Sequence, residues 1–307
     1  MSQGESMNSI ALDQTFQHQN SDYEYTIYWT ALGPQDGQPL IFVHGTPWSS
    51  KSWKALALAF SSRYRVYLFD RPGFGTAPER KSLSSQKAKD RKTELDADLK
   101  GQAEAFAALF KSWDFSEGKL PHVVAHDNAG LVTLRAHLQH GCKYASLCLI
   151  DVVAFSAFGT PFFKSVAEGL STYQAIPEAM FKGFIRAYIG GATYKPLSDE
   201  NMEMLMGPYL EKGVQGKNGF IREMEQACYR DAEDVMDRYA EAGKAMGVKV
   251  IWGKNDGWIP YEKGVKLGEM IGTDNVVLFE EAGHLIMYDQ PERLAIELAW
   301  WLDSQKK

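Results

Sequence analysis

An aspartate stands where a nucleophile would stand in a sharp turn after a buried strand. The apolar run 123–125 leads into Asp127, and the small residues Ala129 and Gly130 follow it. A strand-to-helix turn that exposes a nucleophile requires small neighbours. A serine attacking an sp3 carbon would leave an ether, whereas a carboxylate leaves an ester that activated water can hydrolyse. Asp127 therefore indicates displacement at an alkyl or epoxide carbon rather than acyl transfer.

Two further residues have the types and chain order needed to activate water. Asp256 lies in the turn 253–256 after one predicted strand, and His284 lies in 280–284 after the next. The carboxyl ends of parallel strands meet at one edge of a sheet, so these side chains are expected to converge. We predict that Asp127 attacks, that His284 takes a proton from water, and that Asp256 orients the imidazole.

The segment 44–47, His-Gly-Thr-Pro, follows another buried strand. We predict that the backbone N–H groups of Thr46 and Asn128 form an oxyanion hole for the Asp127 carboxyl oxygen. The proline favours a sharp turn, for which a cis peptide is one solution. His44 is expected to be a buried side chain that braces the loop.

Asp151 is a second candidate for the orienting acid, because it follows the strand after the elbow. Asp256 fits that role better, since it lies in a Gly-x-x-Asp turn. His126 and His140 are interpreted as structural.

The elements that must position these residues alternate between short apolar runs and helical patterns. This alternation predicts an α/β fold with a doubly wound, mostly parallel sheet. Strand patterns disappear between about residues 156 and 247, where Met, Phe and Tyr recur at helical spacing. We predict a core formed by 14–155 and 248–307, an inserted helical cap at 156–247, and a disordered lead at 1–13.

Composition excludes several classes of protein. The 307 residues carry a net charge of −6, which argues against nucleic acid or an anionic membrane as a partner. No apolar run is long enough for a transmembrane helix, and the start of the chain is too polar for a secretory signal. The three cysteines form no CxxC pair, so neither a disulfide framework nor a metal site is expected. A cytoplasmic location is the default expectation, and a homodimer is left open.

Together these motifs resemble the α/β-hydrolase superfamily, and within it the aspartate-nucleophile branch of epoxide hydrolases and haloalkane or haloacetate dehalogenases. The resemblance covers about residue 20 to the end of the chain. It is carried by residues 44–47, 70–75, 126–130, Asp256 and 283–284. It implies a helical cap, no cofactor, a small and largely apolar organic substrate, and a two-step reaction through an alkyl-enzyme ester.

The residues that distinguish the subclasses of this branch differ here from the usual ones. Haloalkane dehalogenases usually place tryptophan after the nucleophile and asparagine third in the first loop, where this chain has Asn128 and Thr46. Trp48 or Trp258 is a candidate to replace those halide donors. Fluoroacetate-type enzymes place arginine after the nucleophile, and Asn128 lacks that charge.

Epoxide hydrolases tolerate variation after the nucleophile but need cap tyrosines that protonate the opening oxirane. The cap offers six candidates: Tyr173, Tyr188, Tyr194, Tyr209, Tyr229 and Tyr239. Spacing does not show which of them face the pocket. Tyr173 and Tyr229 are chosen for that role, with Trp48 and Trp258 in the pocket wall. The leading hypothesis is an epoxide hydrolase-like enzyme, and a haloalkane or haloacid dehalogenase is the first alternative. A non-hydrolytic lyase or isomerase, or a ligand-binding receptor on the same fold, is the second.

Overall fold

The computed structural model describes residues 10–83, 97–156, 161–226 and 230–305. Within them nine strands form one sheet. Their bounds are Gln14–Gln19 (β1), Tyr23–Leu32 (β2), Gln38–Val43 (β3), Tyr64–Phe69 (β4), Lys81–Ser82 (β5), His122–His126 (β6), Ser146–Ile150 (β7), Gly247–Gly253 (β8) and Val276–Phe279 (β9).

The strand order is β1-β2-β4-β3-β6-β7-β8-β9, with β5 on β2. All pairs from β4 to β9 along this order are parallel, whereas β2 pairs antiparallel with β1, β4 and β5. The predicted fold class, an α/β fold with a mostly parallel sheet, is confirmed. Parallel strands expose their carboxyl ends along one edge, and the predicted catalytic residues all follow such ends.

Helices cover both faces of the sheet. Their bounds are Lys54–Phe60 (α1), Leu99–Ser112 (α2), Ala129–His140 (α3), Pro161–Glu168 (α4), Leu170–Gln174 (α5), Glu178–Gly190 (α6), Asp199–Leu210 (α7), Val214–Gln226 (α8), Tyr239–Ala245 (α9), Glu262–Ile271 (α10), Ile286–Asp289 (α11) and Pro291–Ser304 (α12). Short 3-10 helices lie at Ser50–Trp53, Glu117–Lys119 and Met236–Arg238.

The continuous apolar character of the inner strands follows from burial on both faces. In β6, Val123 and Ala125 belong to a hydrophobic cluster that includes residues of α2, α3, α9 and α10. Val124 belongs to the other cluster, with residues of α1 and α12. Side chains alternate across a strand, so a strand covered on both sides must be apolar throughout.

Helices α4–α8, residues 161–226, lie between β7 and β8 in the chain, and we call them the inserted helices. Their buried residues, among them Phe181, Met202 and Phe220, join Trp48 and Trp53 in one hydrophobic cluster. The inserted helices are therefore fixed to the core by side-chain packing as well as by their chain connections.

The structure differs from the predicted domain boundaries at two places. Helix α9 was assigned to the cap, but Tyr239 and Ala242 are buried with the core strands, so the core resumes before residue 248. Ile10 and Leu12 pack against the core and Asp13 accepts a hydrogen bond from Thr30, so the predicted disordered lead does not extend to residue 13. Residues 1–9 lie outside the described residues.

Strand β1 was not predicted. Its side chains are exposed or only partly buried, because it forms the antiparallel edge of the sheet. A strand with a polar outer face lacks the apolar run by which the inner strands are recognised.

Candidate active site

The predicted elbow forms between β6 and α3. Asp127 has a φ of 56°, a left-handed conformation that a non-glycine residue rarely adopts. A Cβ atom on Gly45 would lie 2.4 Å from the Asp127 Cβ, and one on Gly130 would lie 2.3 Å from the Val152 Cβ. Glycine is therefore required at both positions, one in the loop that faces Asp127 and one in the turn itself.

The structure brings Asp127, His284 and Asp256 together. His284 Nε2 lies 3.3 Å from Asp127 Oδ2, and His284 Nδ1 lies 2.8 Å from Asp256 Oδ2. The His284 and Asp256 side chains have no solvent exposure, and that of Asp127 is 10% exposed. One imidazole thus bridges two carboxylates in a nearly dry site.

Electrostatics favour a charged imidazole in this resting arrangement. Burial acts to lower the pKa of His284, but the Asp256 and Asp127 carboxylates outweigh it and raise that pKa well above its ordinary value. Burial acts to raise the pKa of Asp127, and the hydrogen bond and charge of His284 outweigh it and lower that pKa. Each group stabilises the charged form of the other.

Thr46 lies where a donor to the nucleophile was predicted. Its backbone N–H donates to Asp127 Oδ1 at 2.8 Å, and the Thr46–Pro47 peptide is cis. The backbone N–H of Asn128, the other predicted donor, lies at the amino end of α3 and makes no hydrogen bond within the described part of the chain. It is therefore available for a charge that develops later.

Asp256 uses its two oxygens for different purposes. Oδ2 holds His284, while Oδ1 accepts the backbone N–H groups of Trp258 at 2.7 Å and Ile259 at 2.9 Å. Asp151 does not contact His284 in this way, since its Oδ1 accepts the Gly253 N–H at 2.8 Å. Burial and the nearby Asp256 raise the pKa of Asp151 well above its usual range, which favours the neutral form of this carboxyl group.

His44 braces the loops around the site. Arg71 donates its backbone N–H to His44 Nε2 at 3.0 Å, so the other ring nitrogen carries the proton and donates to the Gly45 carbonyl at 2.9 Å. Burial, followed by the charge of Arg71, lowers the pKa of His44 to about 3. A neutral imidazole at this position is a structural element, not an acid or base.

Aromatic rings lie beside the triad. The Trp258 ring lies 4.9 Å from the His284 ring, 4.7 Å from the Tyr188 ring and 6.0 Å from the Trp48 ring, measured between centroids. Trp48 and Trp258, both predicted in the pocket wall, are therefore in contact with each other beside the triad. Such a wall favours apolar ligands.

The tyrosines of the inserted helices are placed differently from the prediction. Tyr173 shares a hydrogen bond of 2.7 Å with Ser165 and packs on Phe162, with no described contact to the triad. Tyr229 lies outside the described residues. Tyr188, one of the six candidates but not one of the two chosen, packs against Trp258 with its ring tilted. Burial, followed by the charge of Asp127, raises the pKa of Tyr188 well above the ordinary value.

Arg71 is a second residue that the sequence analysis did not single out. Its Nη2 donates to Asn128 Oδ1 at 2.9 Å. A charged residue within 70–75 was visible in the sequence, but nothing in its spacing indicates that the side chain turns toward the elbow.

The described residues contain no group of three or more His, Cys, Asp or Glu side chains arranged to hold a metal ion. Among them there is also no helix long and apolar enough to cross a bilayer.

Comparison with known proteins places this geometry in a family. An alpha/beta hydrolase fold protein from Burkholderia ambifaria is 32% identical, with a TM-score of 0.82 over 94% of this chain and 97% of that chain. The pimeloyl-[acyl-carrier protein] methyl ester esterase of Vibrio cholerae is 34% identical over 89% of this chain and 96% of its own length. Epoxide hydrolase 1 of Caenorhabditis elegans is 21% identical over 87% of this chain.

Some relatives are longer proteins: the chain spans 65% of that epoxide hydrolase and 64% of another curated relative. Residues 40–298 match the Alpha/beta hydrolase family. This range includes most of the sheet and all of the site residues described above. The chain belongs to the Alpha/beta hydrolase family.

Proposed function

We propose that this chain is a hydrolase in which Asp127 attacks an alkyl or epoxide carbon and forms an ester. Water activated by His284 then hydrolyses that ester, with Asp256 holding the imidazole. The inserted helices act as the cap that covers the substrate. The most suitable substrates are small apolar epoxides.

The observation that carries this proposal is the different environment of the two Asp127 oxygens. Oδ1 accepts the Thr46 N–H, whereas Oδ2 is 3.3 Å from His284 Nε2. Oδ2 is therefore the nucleophile, and Oδ1 is the oxygen that becomes the oxyanion when water attacks the ester. The donor lies where charge develops in the second step.

The charges of the site support both steps. In the resting site the Asp127 carboxylate raises the pKa of His284. Esterification removes that negative charge, so the pKa of His284 falls and the imidazole can accept a proton from water. Asp256, 2.8 Å away, then stabilises the imidazolium.

Tyr188 favours an epoxide over other electrophiles. Its raised pKa keeps the hydroxyl protonated at neutral pH, and within the described residues that hydroxyl meets only the Met224 sulfur, at 3.8 Å. A protonated hydroxyl near Asp127 can donate to the oxirane oxygen as the ring opens.

A dehalogenase is the second candidate. The buried indole N–H of Trp48 has no hydrogen-bond partner among the described residues, and a departing halide would accept such a donor. The name of the Vibrio relative indicates an ester substrate for that protein. An ester suits this chain less well than an epoxide or a haloalkane. A carboxylate that attacks an ester carbonyl gives an anhydride, whereas attack at an sp3 carbon gives a stable ester.

The test uses the His284→Ala variant with two probes of equal chain length, 1,2-epoxyhexane and 1-chlorohexane. Intact mass and peptide mapping should show a stable ester on Asp127 with the epoxide. Asp127→Asn should show none, and the matched control His140→Ala, a partly exposed histidine on α3, should turn over like the wild type.

An adduct from the chloroalkane alone would favour the dehalogenase. Turnover without any trapped adduct would instead indicate acid–base chemistry, as in a lyase or isomerase. Binding without adduct or turnover would indicate a receptor and would contradict the proposal.

A further inference from the structure

Arg71 is a buried cation beside the segment 44–47, which carries the Thr46 donor and which we call the oxyanion loop. The residue has no solvent exposure, and its guanidinium lies over the Phe74 ring, 4.4 Å from the centroid. Burial lowers its pKa to about 10, against the opposing effect of the Asp127 and Glu223 carboxylates, so the group is charged at neutral pH. A charge in a dry site is weakly screened and acts over several ångströms.

Two residues connect Arg71 to the nucleophile. Arg71 Nη2 donates to Asn128 Oδ1 at 2.9 Å and lies 3.4 Å from Thr46 Oγ1. The Asn128 side-chain amide in turn donates to Thr46 Oγ1, and the Thr46 backbone donates to Asp127 Oδ1. Arg71 thus orients the residue whose N–H contacts the oxygen on which negative charge forms.

Stability alone does not account for an arginine here. In the described part of the chain, Nε and Nη1 of Arg71 are buried without a hydrogen-bond partner. Burying a cation with unused donors is costly, and an apolar residue of similar volume is often equally or more stable in such a place. The buried charge of Arg71 is therefore better explained by a role in the reaction than by a role in stability.

The charge on Asp127 changes twice during the proposed cycle. The resting carboxylate is negative and the ester is neutral. Water then adds to the ester carbonyl, its proton passes to His284, and the carbonyl electron pair moves to the oxygen held by Thr46. The oxyanion collapses, the acyl C–O bond breaks, and the departing alkoxide takes the proton from His284.

A fixed cation stabilises the two negative states relative to the neutral ester. It therefore opposes the first step, in which Asp127 loses its charge, and favours the second, in which the charge returns.

We propose that Arg71 is a positioning residue that acts through Asn128 and Thr46 to favour ester hydrolysis over ester formation. This inference rests on the proposed ester on Asp127. It predicts that Arg71 affects the two half-reactions in opposite or unequal ways, which a residue needed only for folding would not do.

The experiment measures both half-reactions by rapid quench and intact mass, with the substrate that alkylates His284→Ala. In Arg71→Met, with His284 intact, ester hydrolysis should slow by about 10- to 100-fold, while ester formation is unchanged or faster. The ester should then accumulate during turnover. Arg71→Lys, which keeps the charge, should recover part of the hydrolysis rate.

Arg222→Met is the matched control. Arg222 donates to the Gly73 carbonyl of the same loop and forms an ion pair with Glu79, so both rates should stay near those of the wild type.

Asn128→Asp decides the question if Arg71→Met does not fold. It preserves the shape of the side chain and places a carboxylate against Arg71, so it should slow hydrolysis in the same selective way. Equal slowing of both steps, or an unchanged hydrolysis rate, in the folded variants would overturn the inference while leaving the proposed function in place. Failure of His284→Ala to form any adduct would overturn the proposed function itself.

Discussion

At the scale of the residue, the chemistry of this protein depends on how its carboxylates differ. Asp127 is charged and partly accessible, Asp256 holds the imidazole, and Asp151 is a buried acid whose pKa is raised. All three follow strand ends in the sequence. Their types do not distinguish them; their hydrogen bonds and neighbouring charges do.

Matched asparagine substitutions should separate two of these roles. Asp256→Asn removes the charge that stabilises the His284 imidazolium, so ester hydrolysis should slow by about 10²- to 10⁴-fold. Asp151→Asn keeps the acceptor for the Gly253 N–H and replaces an acid whose raised pKa favours the neutral form, so its rate should stay near that of the wild type. Single-turnover kinetics check both; a severe loss in Asp151→Asn would show that its carboxyl group takes part in the chemistry.

At the scale of the element, two loops at the carboxyl edge support each other. Asp70 accepts hydrogen bonds from Ser50 and Thr76, and His44 accepts the Arg71 N–H. A Cβ on Gly75 would lie 2.2 Å from Asp70 Oδ2, and its φ is 54°, so the turn requires glycine. The segment 70–75, found as a separate motif, therefore supports the segment 44–47, which carries the Thr46 donor.

The loop 44–47 lies in close contact with the elbow, so an alanine at Gly45 should have a different effect from an alanine at an unhindered glycine. Gly45→Ala places a methyl group against Asp127 and should displace Thr46, lowering activity by about 10²- to 10³-fold and stability by about 1–3 kcal/mol. Gly183→Ala, in α6 with no neighbouring atom within 4 Å, should raise stability by about 0.5–1 kcal/mol with activity unchanged. Urea unfolding and turnover assays measure both. Normal activity in Gly45→Ala would contradict the assigned oxyanion loop.

Helix α2 predicts a specific pH dependence of stability. Asp98 caps its amino end by accepting the Gly101 N–H, and burial, partly offset by that bond, raises the pKa of this carboxyl to about 6. Between the ordinary pKa and about 6 the folded protein binds a proton that the unfolded chain has released, so stability falls as pH rises through that window.

Asp98→Asn keeps the capping acceptor and cannot ionise. It should therefore be more stable than the wild type at pH 8, by on the order of 1–3 kcal/mol, and similar to it at pH 4. Ser198→Asn, at the amino end of α7, is the pH-independent control. A difference that does not change with pH would show that Asp98 ionises normally in the folded protein.

At the scale of the whole molecule, the site lies between the sheet edge and the inserted helices. Tyr209 donates to the Pro47 carbonyl, Lys212 donates to the Gly75 carbonyl at 3.1 Å, and Tyr188 packs against Trp258. These contacts join elements far apart in the chain. They decide which aromatic side chains lie beside the triad.

Two tyrosine substitutions test this arrangement. Tyr188→Phe should lower the rate of ester formation from 1,2-epoxyhexane by about tenfold or more, because the oxirane oxygen loses its donor. Tyr173→Phe should have little effect, since its hydroxyl contacts Ser165. Rapid quench measures both, with a chloroalkane as the substrate that needs no such donor. The opposite ranking would mean that the inserted helices dock differently when substrate binds.

The sequence by itself determined the sheet class, the elbow and the order of the proposed triad. These depend on local patterns: apolar runs covered on both faces, small residues around Asp127, and polar residues directly after strands. Only the tertiary structure revealed the contacts of Arg71 and distinguished Tyr188 from the other cap tyrosines, and it moved α9 from the cap to the core. Which side chains lie beside the site depends on how elements distant in the chain pack against each other. The residue spacing within one helix or loop does not determine that packing.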